Sequence, residues 1–90
     1  MAGSDDSWTN RAADIATEAA VIQHLLDVHP SQLTTAELVR ELCGEEPEFA
    51  ERDAIERAVR DLIGVGLLHR GETLLTPTRA ALRLNQLLDR

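Results

Sequence analysis

Ninety residues, 43% of them apolar but with one Trp, one Phe and no Tyr, supply a single aliphatic core, which favours packed helices over a β-sandwich. The net charge of −7 is unevenly placed, with −4 on residues 1–30, −5 on residues 31–53 and +2 on residues 54–90. A lone cysteine, Cys43, excludes an intramolecular disulfide, and no apolar run approaches the roughly 18 residues of a membrane span.

Residues 1–11 are polar, with Gly, Ser and paired Asp, and read as a mobile N-terminal tail ahead of one domain over residues 12–90. The acidic start "MAGSDDSWTN" lacks the basic region of a signal peptide, so a cytoplasmic protein is expected. From about Ala12 to Val28 the pattern is helical. Ile15, Ala19, Ile22 and Leu26 share a stripe that Val21, Leu25 and Val28 widen to almost half the circumference. His29-Pro30 ends this helix, because the residue before proline is pushed out of the α region.

The next start is marked by Thr34-Thr35-Ala36-Glu37, a capping box, with Leu33 and Leu38 placed as a hydrophobic staple. A second helix is expected from about Thr35 to Cys43, burying Leu38, Val39 and Leu42, with Gly44 as its stop. Gln32-Leu33 just before it suits a very short strand. Pro47 opens a third helix carried to about Ile63, with Ile55, Val59, Leu62 and Ile63 inward and Phe49 and Ala58 flanking. "LLHR" and "TLLT" then read as two short strands joined by Gly71-Glu72, glycine first suiting a type II′ turn. A last helix starts around Thr76 to Thr78 with Ala80, Ala81, Leu84, Leu87 and Leu88 inward, and Leu82 opposite them.

This order is mainly α with a small β-hairpin (α+β), and its residues resemble the winged helix-turn-helix DNA-binding domains of bacterial transcription regulators. "QLTTAELVREL" resembles the short strand and first helix of the helix-turn-helix, "DAIERAVRDLIGVGLL" the recognition helix and its exit, and "HRGETLLTPTRAAL" a short wing running into a closing helix. The resemblance covers residues 14–88 and implies a three-helix core plus a wing and a C-terminal helix. It departs from the pattern at "GEEPEFAERD", where a simple helix-turn-helix has a turn of about three or four residues.

The resemblance implies sequence-specific binding of double-stranded DNA in transcriptional regulation, with the third helix in the major groove. Taking Ile55, Val59 and Leu62 as inward, about 100° per residue sends Asp53, Arg57, Arg60 and Asp61 outward, with Glu56 at the margin and Arg52 nearer the core edge. Arg57 and Arg60 are the expected base or phosphate contacts, since the guanidinium fork meets two guanine acceptors together. Thr34, Thr35 and the amides opening the second helix, with Arg70 at the wing, suit phosphate. The same spacings allow a second reading. Asp53 with Arg57, Glu56 with Arg60, and Arg57 with Asp61 are each four apart, which makes a solvated face of ion pairs. The acidic run of residues 45–53 would then dock a basic partner protein.

A homodimer through the first and last helices is expected from the wide first-helix arc and from Leu82. No nucleophile has an orienting base, so no enzyme, cofactor or metal site is expected. His24, His29 and His69 read as ordinary surface or half-buried residues, and Cys43 as a small apolar filler. Trp8 could dock on a neighbouring subunit.

Overall fold

The computed structural model describes the backbone of residues 2–89 and the side chains of residues 11–89. Its elements are α1 (Ala2–Val28), β1 (Leu33–Thr34), α2 (Thr35–Cys43), α3 (Phe49–Gly64), β2 (Leu68–Gly71), β3 (Leu74–Pro77) and α4 (Arg79–Leu88). Four helices and a three-stranded antiparallel sheet, in the order β1-β3-β2, make an α+β unit. No helix among the described residues is long and apolar enough to cross a membrane.

Helix α1 reaches back to Ala2, ten residues before the Ala12 start that the apolar pattern marks. No proline interrupts residues 2–28, so backbone preference continues the helix where apolar periodicity has stopped. The side chain of Trp8 lies outside the described residues. Val28 ends the helix just before His29-Pro30, as the steric rule for prolines requires.

Helix α2 begins with the expected capping box. The Glu37 amide donates to the Thr34 hydroxyl at 3.1 Å, and the Thr34 amide donates to Glu37 Oε1 at 2.8 Å. Two amides without helical partners are thereby satisfied. Removing the hydroxyl in Thr34→Ala should cost about 1 kcal/mol, lowering the thermal midpoint by about 6 °C in a domain of this size, read by circular dichroism. Gly44 closes the helix at φ 95°, a backbone that a side chain disfavours.

The core gathers Val21 and Leu25 of α1, Leu38 and Val39 of α2, Ile55, Ala58, Val59 and Leu62 of α3, and Leu68 and Leu75 of the sheet. The inward face of α3 is the one its periodicity marks. That of α1 is not. Its core line runs through Val21 and Leu25, while Ile22 and Leu26 are half-buried and Ile15 is 60% exposed. An arc of nearly half the circumference names a side but not its centre, and packing against α3 chooses the centre.

The hairpin turn falls one residue later than the glycine signal marks. Gly71 pairs with Leu74, leaving Glu72 and Thr73 as the turn, with Glu72 at φ 58°. This register sets buried Leu68 opposite buried Pro77, while β1 holds Leu75 through Leu33. Burial of these strands outweighs the local preference for glycine in the turn.

Helix α4 departs furthest from expectation. Thr78 caps it, accepting from the Ala81 amide at 3.2 Å and donating its hydroxyl proton to the Gly66 carbonyl at 2.7 Å. Only Ala81 is buried and Leu82 half-buried; Ala80, Leu84, Leu87 and Leu88 are exposed. The helix packs mainly on β3, and Ala81 and Leu82 are its only residues out of solvent, so the stripe that periodicity assigns to the core is exposed.

Candidate nucleic-acid interface

The N-terminus of α2, one side of α3 and the β2-β3 hairpin surround an open groove of about 660 Å³. Thr34 and Thr35 come from the strand-to-helix corner, Glu56, Arg60 and Ile63 from α3, and Arg70, Glu72 and Thr73 from the hairpin. Residues 56, 60 and 63 follow helical spacing, so one face of α3 forms the floor. Of the five contacts expected with DNA, Thr34, Thr35, Arg60 and Arg70 therefore converge here, joined by Glu56 from the margin of α3, while Arg57 does not. The groove carries two guanidiniums and two carboxylates, and its formal charge is zero.

Arg52 lines an adjacent groove of about 440 Å³ with Thr35, Arg40, Glu45 and Glu56, continuing the same face toward the start of α3. Beside it, the Glu48 amide donates to Glu51 Oε1 at 2.9 Å, so one carboxylate of the acidic run is spent on capping α3. Phe49, expected beside the core, is 80% exposed among Glu45, Glu46, Glu48 and Glu51. It sits in the first position of α3, before the helix reaches the body.

Asp53 and Arg57 belong to a different side of α3. The Arg57 guanidinium pairs with Asp53 one turn earlier and reaches Asp14 of α1 at 3.5 Å. The spacing of 53 and 57 forecasts the first pair; the second joins residues 43 apart in sequence. Arg57 is thus held by two carboxylates, whereas Arg52, Arg60 and Arg70 have no carboxylate within 4.0 Å among the described residues.

Around Arg57 lies a carboxylate cluster that sequence reasoning did not mark. Glu18 of α1 has its pKa raised, first by burial and then by the charges of Asp61 and Asp14. A carboxyl with a raised folded-state pKa stabilises the fold when protonated, and that contribution is lost as pH rises through the folded value. Glu18→Gln should therefore flatten the fall in stability above the usual glutamate range. At neutral pH it relieves the i, i+4 repulsion with Asp14, worth about 0.3 kcal/mol. On dilute protein this raises the thermal midpoint by about 2 °C.

No family model, curated protein or solved structure matches this chain. The remaining chemistry is sparse. His24 Nε2 meets Glu41 Oε1 at 2.5 Å and links α1 to α2. The Cys43 thiol is half-buried, its pKa raised by burial and then by Glu51, which keeps it in the unreactive thiol form. Among the described residues no three His, Cys, Asp or Glu side chains assemble as a metal set.

The sequence reading passed over Arg40, Glu72 and Thr73 as groove residues. The turn pair was hidden by the misplaced hairpin register. Arg40 carried no signal of its own, since only the seating of α2 beside α3 brings it to the groove.

Proposed function

We propose that this chain is a winged helix-turn-helix module that binds double-stranded DNA, with α3 lying in the major groove and the hairpin tracking the backbone. One observation carries the reading: Arg60 of α3 and Arg70 of the hairpin converge on one open groove, beside the amides and hydroxyls that open α2, and neither has a carboxylate partner. The order of elements, with a hairpin beside the third helix, supports it.

Arg60 and Arg52 take the contacts along α3; Arg57 drops out, because its guanidinium is already paired with Asp53 and Asp14. Phosphate falls to Arg70, Thr34 and Thr35. Acid elsewhere on the molecule is screened over roughly 10 Å at ordinary salt. The neutral groove limits the number of neutralised phosphates, so affinity is modest and non-specific binding weak. Regulation of transcription is the role this contact set serves.

The test is titration of the full chain against a mixed-sequence duplex from about 50 to about 200 mM salt. Two or three phosphate contacts give a slope of log affinity on log salt of about −2 to −3. Absence of binding at the low-salt end overturns the proposal.

A second reading rests on Phe49. An aromatic ring 80% exposed within an acidic run is an anchor for a basic partner protein. Phe49→Ser leaves duplex binding unchanged if DNA is the ligand; loss of duplex binding in that variant would move the interface to this acidic corner.

A further inference from the structure

Arg52, Glu56 and Arg60 are exposed and stand four residues apart, so they form one row along α3 with a carboxylate between two guanidiniums. Glu56 lines both grooves, the larger with Arg60 and Arg70 and the smaller with Arg40 and Arg52. It is therefore the carboxylate at the centre of the face proposed to meet DNA. The other carboxylate of the larger groove, Glu72, belongs to the hairpin turn and lies outside this row.

A carboxylate at that centre opposes binding to phosphate unless it has a donor to meet. Spacing alone would pair Glu56 with Arg60, as it pairs Asp53 with Arg57 on the other side of the helix. Yet no cation lies within 4.0 Å of Glu56 among the described residues. The row thus keeps two donors and one acceptor free, each about 6 Å from the next along the helix axis. In the major groove, guanine offers only acceptors and thymine an acceptor with a methyl group. Adenine offers an amino group with the N7 acceptor beside it, which suits a carboxamide and repels a carboxylate. Cytosine offers its N4 amino group alone, and that edge matches Glu56.

We propose that Glu56 is the specificity-determining residue of this face, accepting a hydrogen bond from the N4 amino group of a cytosine while Arg52 and Arg60 bind guanines of the pairs on either side. This rests on the DNA reading and adds the class of sequence, a G·C core with one fixed cytosine. The carboxylate acts in both directions. On the matched duplex the amino group occupies it; on other sequences it stays unpaired among acceptors, which weakens the wrong complex. Glu56 therefore lowers non-specific association and sharpens the choice of site.

The test is selection of bound duplexes from a pool of randomised sequence by the full chain at about 50 mM salt, followed by anisotropy titration with the selected duplex. A G·C core with one invariant cytosine is expected, and exchanging that C·G pair for T·A should weaken binding about tenfold. Glu56→Gln should keep the core but change the invariant cytosine to adenine, whose N6 and N7 suit the carboxamide. Glu56→Ala should bind the unselected pool about threefold more tightly and separate C·G from T·A by less than about twofold. Position 56 is exposed, so circular dichroism of both variants should keep the helical signal. Selected duplexes without a fixed cytosine, or an unchanged cytosine preference in Glu56→Gln, overturn this inference and leave the Arg60–Arg70 site standing. Failure of the wild type to bind any duplex at that salt overturns the DNA reading and this inference with it.

Discussion

Leu25→Ala is expected to lower stability by about 3 kcal/mol and the thermal midpoint by about 15 °C. Leu25 is fully buried on the line where α1 meets α3, and it belongs to the cluster that joins α1, α2, α3 and the sheet. Truncation removes the transfer energy of three carbons and leaves a cavity that backbones on several sides cannot all close. A domain of about 90 residues has about 5–13 kcal/mol in hand, so the variant keeps its fold with little margin. The control is Leu87→Ala, the same chemical change on α4. It should alter the stability of dilute protein by less than about 0.5 kcal/mol, because Leu87 is 66% exposed. Equilibrium unfolding in urea reads both, and equal losses would mean that α4 packs on its own body.

Arg60→Ala should weaken duplex binding about tenfold, whereas Arg57→Ala should change it by less than about threefold. Composition and spacing make these two arginines equivalent, three residues apart on one helix. Their surroundings do not. Arg60 opens on the groove shared with Arg70, and a contact made there is new. Arg57 would have to leave Asp53 and Asp14 first, exposing two carboxylates to an approaching phosphate. Fluorescence anisotropy with a labelled duplex separates the variants, and the salt slope of Arg60→Ala should fall by about 1 if its partner is a phosphate. A larger loss from Arg57→Ala than from Arg60→Ala would place the interface on the α1 side of α3 and discard the groove.

The groove itself was partly legible beforehand. Thr34 and Thr35 are announced by a capping motif four residues long, and Arg60 by its phase relative to Ile55 and Val59. Arg70 follows from the strand after α3. The division between Arg57 and Arg60 was not legible, because the deciding neighbour, Asp14, lies 43 residues away on a helix whose rotation periodicity left open.

Signals carried by adjacent residues were sufficient for the element order, the capped start of α2, the glycine stop at Gly44 and the buried face of α3. Each depends on backbone sterics, an amide satisfied within a turn, or a stripe narrow enough to have one centre. Tertiary packing alone decided the rotation of α1, the register of the hairpin, the capture of Arg57 and the exposure of the α4 leucines. In those places the local pattern offers several faces of similar apolarity or several free charges. The choice then falls to whichever surface the rest of the chain brings near, a contact that no stretch of neighbouring residues encodes.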